Sequence, residues 1–244
     1  MLVFGLDFET TGLDPKKDRV VEVGGVLWDT DTGSPINIIS EFCYEESFET
    51  LMDEEAEKAH GLSIEFLRCF GRPPDQVFAD LIPDVCTAII AHNAPFDRGF
   101  YEMECARTNQ GMLARPWIDT ACDIKYPQHI STRKLSYLAA EHSFLNPFPH
   151  RAVFDVMTML IVFQNYDPEA ALARSKEPDV TLQALVGYDD RHKAKDCGFH
   201  WNKDNKRWEK KMKLSDVAEE SFKAQEQGFA VKELKPKAQQ MEIV

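Results

Sequence analysis

Residues Leu2 to Leu13 read LVFGLDFETTGL, an apolar run that ends in two carboxylates one residue apart and then a Thr-Thr-Gly turn. Side chains on a strand alternate between faces, so Asp7 and Glu9 project to one side while Phe8 points to the other. Two carboxylates side by side on a buried strand repel each other and are costly to desolvate unless a cation lies between them. The stretch asks for a metal. Acids at the solvated end of a strand are common, so the pair needs support from elsewhere in the chain, and Asp97, His150 and Asp155 supply it.

Asp97 stands at the start of a helix that follows a short apolar strand, at the carboxyl end of a sheet, where α/β folds place their ligands. The helix macrodipole favours an Asp in that turn in any case. His150 and Asp155 are five residues apart, about 140° around an ideal helix and too far to serve one site. Pro149 offers a way out: with His150 on an extended approach and only Asp155 on the helix, both reach one centre from different heights. A solvated histidine at a helix start is the plain alternative. Together, two acids on a strand, one at a helix start, one on a later helix and a neighbouring imidazole suit two-metal phosphodiester hydrolysis. Carboxylates hold two Mg²⁺ or Mn²⁺ ions about 3.5–4 Å apart, and a histidine takes the proton of the attacking water.

The segments D-F-E-T-T-G-L at 7–13, H-N-A-P-F-D at 92–97 and H-R-A-V-F-D at 150–155 resemble the three motifs of the DnaQ-like, DEDDh-type 3′–5′ exonucleases, in the family's order and at similar separations. The resemblance covers roughly residues 1–166 and implies a ribonuclease H-like fold. It implies that Asp7, Glu9 and Asp155 bind the catalytic metal, that Asp7 and Asp97 serve the second, and that His150 is the general base. It further implies that Thr10 and Leu13 flank the terminal nucleotide, with Leu13 wedging between the last two bases. His60, in the H-G-L run at 60–62, would lie near the terminal sugar and base, with Asn93 and Phe96 at the second nucleotide. Leu13 and Phe96 could equally be core residues.

The elements that must position these groups follow from hydrophobic pattern and turn chemistry. Residues 2–9, 19–28 and 35–44 read as three strands joined by short turns, an antiparallel meander. Residues 53–59 and 63–70 are helical, Pro73 and Pro74 open a helix whose apolar face runs to Val85, and Thr87–Ala91 is a strand buried on both sides. A helix follows to about Thr108. A strand at Trp117–Thr120 precedes helices near 121–126 and 134–142, and a long helix spans 151–166. The expected fold is α/β: a ribonuclease H-like mixed sheet, antiparallel meander plus parallel strands, flanked by helices. We expect an exonuclease domain over 1–168, a linker over 169–179, a small α+β module over 180–235 and a flexible tail over 236–244.

The chain has 244 residues, 43% of them apolar, enough for a core of this size. No apolar run approaches the roughly 20 residues of a membrane helix, and Met1 leads straight into the first strand, so the expectation is a soluble cytoplasmic protein. Six scattered cysteines show no zinc spacing. The net charge of −13 is unevenly spread: residues 1–180 hold 15 Lys/Arg against 30 Asp/Glu, residues 181–244 hold 13 against 11. An acidic body still binds a polyanion where metal ions neutralise its field.

The module at 180–235 lies outside the family pattern. Tyr188, Phe199, Trp201 and Trp208 are interleaved with Lys and Arg, with a hairpin expected at 201–208, and such a pattern suits stacking on single-stranded bases; tryptophans packed into the module's own core are the alternative. The last five residues, Gln240 to Val244, resemble a bacterial sliding-clamp peptide, which implies a clamp or polymerase partner. The expected function is metal-dependent removal of nucleoside 5′-monophosphates from the 3′ ends of single-stranded DNA. The alternatives are trimming of RNA by the same chemistry and a non-catalytic nucleic-acid-binding adaptor on the same fold.

Overall fold

The computed structural model describes residues 1–79 and 81–234, so the tail at 236–244 and its clamp-like peptide lie outside the described residues. The chain divides into two compact units, one spanning Met1–Ser175 and a second beginning at Lys176.

The first unit opens with β1 (Leu2–Thr10), β2 (Val20–Asp29) and β3 (Ser34–Phe42), followed by α1 (Glu54–His60), α2 (Ile64–Phe70), α3 (Pro74–Phe78), β4 (Ala88–Ala91), α4 (Ala94–Thr108), β5 (Trp117–Asp119), α5 (Leu135–Glu141), α6 (Ala152–Phe163) and α7 (Pro168–Ser175). Its strands form one five-stranded sheet in the order β3-β2-β1-β4-β5. The meander pairs are antiparallel, and β1 with β4 and β4 with β5 are parallel. This is the mixed sheet the sequence predicts.

β1 is paired on both edges, and its alternation sorts the core. Phe4, Leu6 and Phe8 enter one cluster with Phe48, Phe78, Phe100 and Tyr101. Val3 enters the other, with Val26, Ile90 and Ile118 from the sheet and Leu138, Val156, Met159 and Leu160 from α5 and α6. Each large side chain so buried contributes about 1.5–3 kcal/mol. Asp7 and Glu9 share the odd-numbered face with Val3, and therefore face α6.

Two glycines let α6 lie on that face. A Cβ at Gly5 would stand 2.7 Å from Val156 Cγ1, and one at Gly24 would stand 2.3 Å from the carbonyl carbon of Ala152. Bare backbone at both positions brings the first turn of α6, and Asp155 with it, down to the strand that carries Asp7 and Glu9.

Several expected elements differ. Residues 121–126 are a turn, a bend and irregular chain rather than a helix; Asp119 Oδ1 accepts the Ala121 N–H, and the Asp119 N–H donates to Asp123 Oδ2, closing a local turn. The helix expected from Pro73 to Val85 ends at Phe78, where Ala79 turns to extended backbone, φ −63° and ψ 116°. Residues 168–175, at the end of the expected exonuclease domain and into the expected linker, are α7: Asp167 Oδ1 accepts the N–H groups of Glu169 and Ala170, Pro168 opens the first turn, and Ala171 and Leu172 are buried in the α6 cluster.

The second unit comprises β6 (Asp179–Leu185), α8 (Arg191–Asp196), β7 (His200–Asn202), β8 (Arg207–Lys213), α9 (Val217–Glu226) and β9 (Ala230–Leu234). Its antiparallel sheet runs β7-β8-β6-β9, with the β7–β8 hairpin where the sequence places it. Leu182, Ala184, Ala194, Phe199, Ala224 and Phe229 make its core. Trp208 packs partly against that core, whereas Trp201 stays 48% exposed, so only one of the pair serves as core. No helix among the described residues is long and apolar enough to cross a membrane.

Candidate active site

The pairing of β1 with β4 ends at Gly5, and β1 continues past it carrying Asp7 and Glu9. Beyond that point the Phe8 N–H has a side-chain partner instead of a strand: it donates to Oδ1 of Asp97 at 3.1 Å. Asp97 is buried in the first turn of α4, behind Asn93, whose backbone is left-handed with φ 71°. The third acid is thus fixed to the main chain between the first two.

On the other side, Asp155 sits in the first turn of α6. Its Oδ2 accepts the His150 N–H at 2.8 Å and its Oδ1 accepts the Asn146 side-chain amide at 2.7 Å. His150 is not on an extended approach, as the prolines suggest; it closes a turn with φ 61°, and that left-handed step folds the chain back onto the helix start. The result still meets the requirement read from the spacing: ligand atoms of Glu9, His150 and Asp155 all lie within 4.8 Å of one another. Asp7 is outside this trio but within electrostatic reach of Asp97, Glu9 and Asp155.

The electrostatics are those of a cluster short of positive charge. Burial, then the charges of Asp97, Glu9 and Asp155, push the Asp7 carboxyl well above its ordinary range. Burial also pushes Asp97 well up, against the opposing hydrogen bond from the Phe8 N–H. Glu9 is pushed up to about 8 by burial and by Glu22 and Asp155, with Arg151 opposing. Asp155 is raised by burial despite the donors on it. Hard oxygen donors from distant segments, held together at a cost that a divalent ion would relieve, fit Mg²⁺ or Mn²⁺.

The match of the exonuclease (RNase_T) family model to residues 4–163 coincides with this sheet and its acids. The chain belongs to the DnaQ-like 3′–5′ exonuclease family. Residues 180–229 match a second family, a domain of unknown function (DUF8626). Among similar proteins, the PolC-type DNA polymerase III of Thermotoga petrophila is 29% identical over 163 residues, 66% of this chain and 11% of the relative. The DNA polymerase III subunit epsilon of Rickettsia prowazekii is 36% identical over 102 residues, 41% of this chain and 42% of the relative. The chain therefore spans less than half the length of either. Among solved structures, a zinc-bound Escherichia coli exonuclease I–single-stranded DNA complex aligns with TM-score 0.59 at 16% identity, over 76% of this chain and 48% of that one. The nuclease domain of 3′hExo, a DEDDh family member bound to rAMP, aligns with TM-score 0.54 at 15% identity, over 67% and 90%. These likenesses show a common fold.

The remaining sequence candidates in the exonuclease domain differ in exposure and in their local partners. Leu13 is 84% exposed, which removes the core alternative for it. Thr10 is buried, its hydroxyl donating to the Gly12 carbonyl at 2.6 Å, so it shapes the turn that carries Leu13. Phe96 is half-buried against Phe100, ring centroids 4.9 Å apart. Asn93 is exposed, its N–H on Asp119. His60 is buried; its Nδ1 accepts the Leu62 N–H, and its Nε2 has no hydrogen-bond partner among the described residues. Burial lowers its pKa, against an opposing interaction with the Thr10 backbone and with the charges of Arg151 and His150 adding.

Three supports escape the sequence reading. Glu22, fully buried opposite Glu9 on β2, accepts from Arg151 Nε at 3.1 and 3.2 Å and from the Ala152 N–H at 3.3 Å, and so ties the residue after His150 to the sheet. Asn146 holds Asp155. Glu104, buried on α4, receives Arg19 and Arg107, and Arg107 also donates to the carbonyls of Asp18 and Pro15, pinning the loop that carries Leu13. An acid in the middle of the apolar run RVVEVGG is the one signal that points to Glu22.

Proposed function

We propose that the chain is a metal-dependent 3′–5′ exonuclease that hydrolyses phosphodiester bonds at the 3′ ends of single-stranded DNA and releases nucleoside 5′-monophosphates. The observation that carries this reading is the convergence of Asp7, Glu9, Asp97 and Asp155, from three separate segments, beside an exposed imidazole at His150. Asp7, Glu9 and Asp155 would hold one ion, and Asp7 with Asp97 the other. Bound divalent ions supply charge stabilisation for the attacking and leaving oxygens. His150, for which no ring hydrogen bond is found among the described residues, is open to take the proton from the attacking water. Leu13, exposed on its turn, would part the last two bases, and His60 would lie near the terminal sugar and base.

The preference for single-stranded DNA is supported by the exposed Leu13 and by the fold shared with exonuclease I, whose structure holds single-stranded DNA. The polymerase III relatives support work beside a polymerase. RNA is the second reading, favoured by the fold shared with 3′hExo, bound to rAMP.

The test is digestion of matched 20-mer DNA and RNA, labelled at the 5′ end, with Mg²⁺ or with EDTA. The expected result is a ladder shortening from the 3′ end in Mg²⁺ only, faster on DNA, and absent in Asp7→Ala. Retention of DNA with no shortening would overturn the reading in favour of an adaptor.

A further inference from the structure

The second unit carries a cavity of about 390 Å³ between the start of α8 and the β7–β8 hairpin. Its walls combine three aromatic rings with three cations. Trp201 and Trp208 face each other across the hairpin, paired in register with ring centroids 5.8 Å apart at 63°. Tyr188, which also lines the cavity, is 78% exposed, with the Arg191 guanidinium 3.9 Å over its ring. Lys206 and Arg207 close the hairpin side. Among the described residues, none of those lining the cavity is acidic, in a chain whose net charge is −13.

The register explains why Trp201 is uncovered. Trp208 lies opposite Ala184, a core residue, and so shares the core face. Trp201 lies opposite Trp208 one strand further out, on β7, an edge strand of three residues. Burial therefore decreases outward along the row, leaving one ring packed and the next open beside the cavity. A unit this small has little apolar surface to spare, and large exposed rings rimmed by cations mark a binding surface.

The cations are not equally committed. Arg207 is engaged by Glu209, and Arg191 donates to the Tyr188 carbonyl at 2.6 Å while stacking on its ring. Lys206, at the hairpin turn with φ 49°, forms no ion pair among the described residues. Planar π surfaces beside an uncompensated ammonium and two guanidinium groups match a ligand that is itself planar and aromatic with an attached anion. The repeat unit of a single-stranded nucleic acid has that chemistry; a duplex does not expose it.

We propose that this cavity is a second nucleic-acid site, taking one unstacked base against Trp201 and Tyr188, with the adjoining phosphate at Lys206. The site is independent of the hydrolytic reading, since it needs neither the metal nor the carboxylates.

The full chain is titrated in EDTA with labelled dT12, U12 and a blunt 12-base-pair duplex, following intrinsic tryptophan fluorescence and label anisotropy. Binding of dT12, of U12 or of both with tryptophan quenching is expected, and the two arms distinguish DNA from RNA as the source of the strand. Trp201→Ala and Lys206→Glu should each weaken that binding by about fivefold or more, the low end of one stacked base, while Trp201→Phe keeps most of it. Lys206→Glu should also lower the salt dependence. Should Trp201→Ala lose its circular dichroism spectrum, Tyr188→Ala, a change at an exposed ring, takes its place. Absence of binding, affinities within twofold of the parent in folded variants, or equal binding of the duplex would each overturn the proposal, whatever the hydrolysis assay gives.

Discussion

The main-chain N–H of His150 donates to Oδ2 of Asp155 at 2.8 Å, so the imidazole and the last acid of the cluster are parts of one folded turn. The backbone at His150 is left-handed, φ 61°, and the bond joins two residues that five positions on a straight helix would point apart. Asn146 completes the turn by donating to the other oxygen of the same carboxylate.

Asn146→Ala should therefore act on the site without touching substrate. Removing that donor raises the Asp155 carboxyl further, because the amide hydrogen bond opposes the effect of burial. Groups that orient metal ligands typically contribute about 10- to 100-fold in metal affinity or activity. The expected outcome is a loss of that size at neutral pH, partly recovered at higher Mn²⁺. A metal titration of hydrolysis checks it, and an unchanged midpoint would contradict it.

The Glu9 carboxyl gives a pH dependence with a definite sign. Its folded value of about 8 lies above the ordinary 4.5. Below pH 4.5 it is protonated whether the chain is folded or not. Between 4.5 and about 8 the folded, metal-free chain holds a proton that the unfolded chain has released, so this group makes stability fall as pH rises through that window. A divalent ion displaces the proton and removes the penalty. Mn²⁺ should thus raise the melting temperature more at pH 8.5 than at pH 6, and Glu9→Gln should flatten the difference. Equal shifts at both pH values would contradict the cluster's electrostatics.

Gly24→Ala tests the contact that seats α6. The added methyl would meet Ala152 backbone at 2.3 Å, and backbone cannot turn aside as a side chain can. Overpacking of this kind costs about 1–3 kcal/mol, and here it also lifts Asp155 from the sheet. Denaturant unfolding should show the loss, with hydrolysis reduced beyond what the stability change explains.

Leu13→Ala should do the reverse. The side chain is 84% exposed, so its removal should change stability by less than about 0.5 kcal/mol. The expected effect is a raised KM for single-stranded oligonucleotides. Thermal melting and steady-state kinetics on one preparation separate the two.

Much of this site is legible in the sequence, for reasons particular residues make plain. Asp7 and Glu9 stand out because the run around them is apolar, and strand alternation alone puts them on one face. Asp97 is legible from the buried AIIA strand and Pro95 ahead of it. The supports are harder to read. Glu22 matters through register, opposite Glu9, and the helix start it holds lies 130 residues away. The left-handed turn at His150 is hidden because two prolines nearby favour extended backbone at their predecessors and say nothing of the residue after them. The helix at Pro168–Ser175 is announced by Asp167-Pro168, a start signal that is easily taken for the end of the helix before it.

The two-metal reading is tested most directly by anomalous diffraction from crystals of the full chain grown with Mn²⁺ and nucleoside 5′-monophosphate. Two manganese peaks are expected, one touching Asp7, Glu9 and Asp155 and one near Asp7 and Asp97, with the His150 ring facing them. Absence of manganese from these carboxylates, or a peak held elsewhere while they remain protonated, would contradict it.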